Sequence, residues 1–467
     1  MKIAIVNPSL RPESKRRQLP VGLAYVLTAV KKAGFDFDFI DMDINNITMA
    51  QLEEILSKTT YDVCALGCIV TGFKYAIQIA DIAKKLNPKT VIIAGNSLVT
   101  SCPELLLNNA QFDIGVMSEG DVTIVELLQA LQDKTSLSGV AGIVYKENGR
   151  VVSTPERPAI ANLDEIGFPD WDIFDLEKYK EYSYINVNVM GDGMNAENIL
   201  SYPLNSARGC PHRCSFCYHV FKGKKYRKYS KQAIMDEIKR LHFEYGCNFV
   251  SFWDELTFAN IQSVRDMIDA FSKLDLKIGW ECPTRGDLFK KEHLGLIKDL
   301  KAVGCDNIAF SLENASEEIL TAMNKKLNVA QFIEQAQVLW EGGCVPITSV
   351  VFGYPQETPE SIKKTIDVCE ECNIFPSVGF LLPLPATPIY EWAKEHGHIT
   401  DELAYLKRIG DRQDFHINLT TMSDEQYVGT VTSCLEALAK KMGLEFDSVF
   451  KTARYVKPKI MSSSGNS

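Results

Sequence analysis

Over roughly the first 135 residues, short β-type apolar runs alternate with segments in which apolar positions recur every three or four residues. The pattern predicts strands at 3–6, 35–40, 63–68 and 91–94, a weak one around Ile114, and helices at 23–32, 72–85, 103–109 and 121–131. Gly34 and Gly95 fall where a helix stops and a strand ends. Such alternation implies a parallel sheet covered by helices on both faces, with its ligand site at the carboxyl ends of the strands.

A hairpin follows at 142–145 and 150–153, turned by Glu147-Asn148-Gly149. Periodicity is then lost from Thr154 to about Leu200, where Pro155, Pro158, Pro169 and Gly191-Asp192-Gly193 mark a linker expected to drape over both neighbouring units. A second alternation places strands at 200–207, 248–253, 277–282, 307–312, 345–351 and 377–382, separated by helical segments. Six such βα units with right-handed crossovers make a partial (β/α)6 barrel of TIM-like type. The expected fold class is therefore α/β: a flavodoxin-like (Rossmann-type) doubly wound sheet over 1–140, hairpin and linker over 141–199, and the partial barrel over 200–395. A helical region over 396–467 ends in a Ser/Gly tail expected to be disordered.

Composition narrows the functional classes. The chain has 467 residues, 46% of them hydrophobic, and a formal charge of −10 from 50 basic and 60 acidic side chains. Net acidity opposes a general grip on nucleic acid or an anionic membrane. The basic run from Lys222 to Lys231 reads as a solvated face or a docking surface for a reductase rather than a nucleic-acid footprint. No apolar stretch reaches the roughly 18–20 residues of a membrane span. Lys15-Arg16-Arg17 before the apolar run 21–30 imitates a signal peptide, but that run continues into Lys31-Lys32 without a small-residue cleavage site, so a cytoplasmic location is expected. Thirteen cysteines, an odd number, argue against a disulfide framework.

Three of those cysteines are clustered. Arg208-Gly-Cys210-Pro-His-Arg-Cys214-Ser-Phe216-Cys217-Tyr218 places thiolates at C-x-x-x-C-x-x-C spacing just after an expected strand. Soft ligands so spaced suit zinc, with His212 or His219 as a fourth ligand, or an iron–sulfur cluster with one iron left open. With Phe216 at the aromatic position, the motif resembles that of the radical S-adenosylmethionine (SAM) superfamily. The resemblance implies that Cys210, Cys214 and Cys217 hold a 4Fe-4S cluster whose free iron binds SAM, and that SAM is cleaved to a 5′-deoxyadenosyl radical. It also implies SAM contacts at Asp254 and Glu255 after the second barrel strand, Arg285 after the third, Ser311 and Glu313 after the fourth, and Gly353 in Gly353-Tyr-Pro355-Gln-Glu357-Thr358 after the fifth. Pro383-Leu-Pro385-Ala386-Thr387-Pro388 resembles a Pro-Gly-Thr-Pro element of that superfamily, with Ala386 in place of glycine.

The N-terminal half resembles the cobalamin-binding domain that precedes this barrel in one large class. Asn7-Pro8, Leu19-Pro20-Val-Gly22, Asp41, Gly95-Asn96-Ser97-Leu-Val-Thr100 and Ser118-Glu119-Gly120-Asp121 all fall near strand ends. The resemblance implies cobalamin contacts at Pro8, Gly22, Asn96, Ser97, Thr100, Glu119 and Gly120. The histidine usual in that class is missing from Asn96-Ser97-Leu98, which leaves the lower cobalt ligand open. The expected function is a cobalamin-dependent radical SAM enzyme, foremost a C-methyltransferase with methylcobalamin as donor to an unactivated carbon of a small-molecule or peptide substrate, reduced by a flavodoxin or ferredoxin. A cyclase or rearrangement enzyme without methyl transfer, and a cobalamin-responsive binding protein with a structural cluster, are the alternatives.

Overall fold

In a computed structural model of the chain, residues 1–12, 17–182 and 199–446 are described. Lys15, Arg16, Gly191-Asp192-Gly193 and residues 461–467 lie outside them. The apolar runs of the first alternation become β1 (Ile3–Asn7), β2 (Asp38–Asp41), β3 (Val63–Gly67), β4 (Val91–Gly95) and β5 (Ile114–Val116). They form a parallel sheet in the order β2-β1-β3-β4-β5. A run of four or five residues buried on both sides, as in Val6, Ala65 or Ile93, is what a two-sided helical cover requires. The second strand begins three residues later than its apolar run suggests, at Asp38.

The hairpin, β6 (Ile143–Glu147) and β7 (Arg150–Ser153), pairs antiparallel with β5 and extends the same sheet to seven strands. Its pattern had placed it with the linker; the registered hydrogen bonds put it on the N-terminal unit. Besides the short helices Ser97–Thr100 and Leu176–Lys180, helix Met49–Ser57 went unread; it buries only Leu52 and Leu56 and is defined by a Thr48/Gln51 capping box. The linker ties both units together. Tyr179 donates to Asp41 (2.6 Å) and Tyr229 donates to the Gly167 carbonyl (3.0 Å).

The second alternation gives β8 (Ser201–Leu204), the short antiparallel pair β9 (Ala207–Arg208) and β10 (Arg227–Lys228), then β11 (Phe249–Phe252), β12 (Gly279–Thr284) and β13 (Cys305–Phe310). The expected fifth strand is split at Thr348. Its first piece, β14 (Val345–Ile347), pairs with β13, and its second, β15 (Ser349–Phe352), pairs with β16 (Ser377–Phe380). Thr348 causes the break by turning its hydroxyl onto the Leu312 amide (3.1 Å) and its carbonyl onto the Ser377 amide (2.9 Å). A Glu313–Val350 bridge carries the curvature across the gap. The result is an open barrel of parallel strands. Helices Glu402–Arg408 and Asp424–Met442 follow it, the second lying against helix Pro359–Glu371 on the outside.

Candidate active site

The residues leading into the cysteine motif are gripped one after another. Asp254, at the end of β11, accepts hydrogen bonds from the Ser206 and Ala207 amides and from the Ser206 and Thr257 hydroxyls. Glu255 accepts from the Gly209 amide (3.1 Å). Between them Arg208, only 6% exposed, reaches into the N-terminal unit and bonds Asp121 through both terminal nitrogens (2.8 and 3.0 Å) and Glu119 (3.0 Å). Arg227 bonds both oxygens of Glu119 at 2.9 Å. Burial alone would lower the Arg208 pKa, but the Asp121 charge outweighs it and the guanidinium is held ionised. Two cations and two anions thus close a buried junction between the sheet and the barrel. Arg227 had been read as part of a solvated basic face; it points inward because Glu119 and the Ile160 carbonyl (2.7 Å) need a donor there. Lys225 and Lys228 are exposed.

Beyond the grip lie the thiols. Nine of the thirteen cysteines are buried, Cys210, Cys214 and Cys434 are half-buried, and Cys217 is exposed. All three cysteines of the motif thus stay accessible to a ligand, and the half-buried Cys434 stands apart from them on helix Asp424–Met442. The Cys214 thiol is pushed up by burial and by Glu313 and Cys210, and drawn down by Lys325 and Arg285, so these groups share one field. No three His, Cys, Asp or Glu side chains among the described residues already converge as an ion site. The loop is held in register by Ser215, whose amide bonds the Met323 carbonyl (2.8 Å) and whose hydroxyl meets that of Tyr354 (2.8 Å). Phe216 packs edge-on against the Tyr354 ring at 6.4 Å.

Across from the thiols stands a cleft of about 400 Å³ between the carboxyl ends of the N-terminal strands and the barrel. Its floor is small and apolar: Gly22, Gly67 and Gly95, with Ala65, Ala94 and Ile69. A Cβ on Gly22 would meet open space and one on Gly95 only the Val116 carbonyl at 4.0 Å, so the bare backbone keeps the floor flat where a planar ring can lie. Asn96 caps the short helix Ser97–Thr100 at φ +68° with its side chain on the Ser97 amide, and Ser97 in turn accepts from the Val70 amide (3.0 Å). Glu119, Gly120 and Asp121 line one end. The barrel contributes Asn205, Arg208, Tyr218, His219, Phe221, Trp253 and Glu255 to the same cleft.

Not every expected contact reaches the site. Pro8 and Thr100 are not cleft-lining; the Thr100 hydroxyl instead accepts from the Ser118 amide (3.0 Å). Asp254 has spent its lone pairs on the approach to the cysteines and has none left for an ammonium group. Gly353, expected to let backbone near an adenine, has φ +112° and is crowded instead by Tyr427, whose hydroxyl would stand 2.5 Å from an added Cβ. Ser311 shares a hydroxyl hydrogen bond with Ser349 (2.8 Å). Arg285 is held by Asp287 and by the Lys325 and Lys326 carbonyls, while Glu313, 6% exposed and at φ +63°, pairs with Lys325 (2.9 Å).

Comparison with known proteins meets this geometry at both ends. Residues 204–369 match the Radical SAM superfamily model and residues 13–128 match the B12 binding domain model. The chain is 30% identical over 400 residues, 84% of its length, to an uncharacterized methyltransferase of Pyrococcus horikoshii, 83% of which is covered. It belongs to the cobalamin-binding radical SAM enzymes. The chain is also 26% identical to an anaerobic magnesium-protoporphyrin IX monomethyl ester cyclase of Cereibacter sphaeroides, over 87% of this chain and 66% of that one. Among solved structures, the radical SAM methyltransferase TsrM of Kitasatospora setae, with cobalamin and a [4Fe-4S] cluster bound, superposes with a TM-score of 0.69 at 16% identity, covering all of this chain and 92% of that one.

As a radical SAM enzyme the chain uses a 4Fe-4S cluster, SAM and cobalamin, and its residues fit them: accessible thiols of the right number for the cluster, and a glycine-floored cleft for the corrin. Several residues of this radical SAM site were not legible in the sequence. Arg208 had a visible signal, adjoining the first cysteine pair, but its partners Glu119 and Asp121 lie almost 90 positions away. Trp253, Tyr218 and Ile69 look like ordinary apolar residues, yet Trp253 and Ile69 are among the few large hydrophobic side chains left exposed. His219 is the one histidine lining the cleft; it comes from the cysteine loop, its Nδ1 is buried without a partner, and burial followed by Lys222 lowers its pKa. No helix among the described residues is long and apolar enough to cross a membrane.

Proposed function

We propose that this radical SAM enzyme is a C-methyltransferase that moves the methyl group of SAM, by way of the corrin, to an unactivated carbon of a small-molecule or peptide substrate. When bound, the cofactors supply a 5′-deoxyadenosyl radical and a transferable methyl group; the protein supplies position. The observation that carries the reading is that the cysteine loop and the strand-end floor border one cleft, with Tyr218, His219 and Phe221 following directly on Cys217. A substrate carbon between the two cofactors then needs no domain movement to meet either. Cys210, Cys214 and Cys217 hold the cluster. Glu313 and Arg285 stand beside it for the polar end of SAM, and Phe216 fixes the loop against Tyr354. The aromatic wall of Trp253, Tyr218 and Phe221 keeps water from the radical path. The exposed Lys225 and Lys228, one just before β10 and one on it, suit the acidic surface of a flavodoxin or ferredoxin as electron donor.

The test supplies methyl-labelled SAM to enzyme loaded with both cofactors, a reductant, and a metabolite extract of the source cells. The reading predicts label in a new product together with S-adenosylhomocysteine and 5′-deoxyadenosine. An unlabelled, cyclised or rearranged product with 5′-deoxyadenosine alone would replace it with the cyclase reading.

A further inference from the structure

The last barrel strand presents an unusual neighbour to the lumen. On β16, Phe380 faces outward, its ring meeting Phe415 at 5.7 Å and Tyr427 at 5.6 Å. Alternation along the strand then turns Ser377 and Gly379 inward. The segment after helix Glu402–Arg408 runs beside the free edge of β16, where the Phe380 amide donates to the Arg412 carbonyl (2.7 Å). The Arg412 side chain lies across Gly379: a Cβ there would stand 3.2 Å from Cδ, 3.4 Å from Cγ and 3.5 Å from Nε. Glycine at 379 is the space the guanidinium stem occupies.

This segment is anchored. Asp411 pairs with Arg11 (2.6 Å), the Gln413 amide bonds the Asp411 carboxylate (3.1 Å), and His416 Nε2 meets the Asp411 carbonyl (3.0 Å). The Arg412 guanidinium itself has no hydrogen bond or ion pair among the described residues. Among the described residues, the lumen-facing Glu281, inward because its neighbour Trp280 stacks outward on Phe271, is already engaged by Ser251 and Asn307 at 2.8 Å each. The five N–H donors of Arg412, carried on a half-buried stem across Gly379, are open to an incoming acceptor, and a carboxylate or phosphate matches the planar fork best. SAM also carries a carboxylate, but the charges bearing on the three thiols are those of Arg285, Lys325, Glu313 and Glu255, and Arg412 is not among them. Arg412 belongs to the opposite, open edge of the barrel.

We propose that Arg412 anchors an anionic group of the substrate, a carboxylate or phosphate, at the open edge of the barrel lumen. The proposal deepens the preceding reading, in that the substrate enters this lumen. Inorganic phosphate serves as the probe, its ³¹P line width titrated with enzyme carrying cluster, cobalamin and saturating SAM. Saturable broadening is expected with the native enzyme, at least tenfold weaker with Arg412→Met and partly restored with Arg412→Lys. Gly379→Ala, which keeps the guanidinium but displaces its stem, should weaken the effect, while Arg265→Met, which removes an exposed cation elsewhere on the surface, should not. Broadening that is absent, unchanged in Arg412→Met, or abolished by SAM overturns the proposal. Because the readout does not depend on which product forms, a failure of the methyl-transfer reading leaves this result separately decided.

Discussion

Replacing Arg208 with Met is the sharpest test of how the two halves are joined. The change orphans Asp121, both of whose oxygens bond Arg208, while Glu119 keeps Arg227 and the Ile160 amide (2.9 Å). One buried carboxylate without its cation costs about 3–5 kcal/mol, against about 0–1 kcal/mol for an exposed pair. Asp121→Asn leaves Arg208 its bond to Glu119 and should cost less, about 1–3 kcal/mol. If the two side chains act through each other, the double variant should lose less than the sum of the singles by about 0.5–3 kcal/mol. Urea titration of all four proteins, followed by bound-cobalamin absorbance and by tryptophan fluorescence, measures this. Additive losses, or an Arg208→Met cost below about 1 kcal/mol, would refute the reasoning, because a desolvated junction cannot be so indifferent to its charges.

Other expectations concern single sites. Alanine at Cys210, Cys214 or Cys217 should abolish iron uptake on anaerobic reconstitution, whereas alanine at buried Cys247 should leave the iron content unchanged. Burial raises Glu357 from the ordinary 4.5 to about 7. Since the folded value is the higher one, the stability tied to its neutral form is complete below about pH 4.5 and is lost as pH rises through 7; Glu357→Gln should remove that slope, worth about 3 kcal/mol at ~1.36 kcal/mol per pKa unit, in denaturation midpoints taken from pH 4.5 to 8. Gly353→Ala should destabilise through both its φ of +112° and the Tyr427 hydroxyl. Tyr427→Phe should be neutral or stabilising, because that hydroxyl is buried without a partner, and should partly rescue the alanine variant in thermal melts.

The strands that buried runs announce, such as β1, β3 and β4, were legible because burial on both faces leaves a continuous apolar signature. The split of the fifth strand was not, since Thr348 acts through long-range hydrogen bonds to Leu312 and Ser377. The grouping of the three cysteines was legible from their spacing, and the cluster they are proposed to hold from the resemblance that Phe216 completes. The SAM side was harder: Asp254 carries the expected charge at the expected strand end, yet its oxygens serve the neighbouring strand. Ala386 in place of a glycine was readable as a difference but not as strain. Ser118 and Ala386 take φ of +61° and +62°, a left-handed conformation that glycine adopts freely and that costs these residues about 1 kcal/mol or more. Asn96, at +68°, is strained less because its side chain bonds the backbone locally.

The central claim is that cluster, SAM and corrin are worked together by one cleft. Enzyme reconstituted with iron and sulfide, with and without cobalamin, should be given SAM and a low-potential reductant, and both S-adenosylhomocysteine and 5′-deoxyadenosine quantified. The account predicts 5′-deoxyadenosine in both preparations and S-adenosylhomocysteine only where cobalamin is bound. Equal S-adenosylhomocysteine without cobalamin, or none with it, would contradict the account.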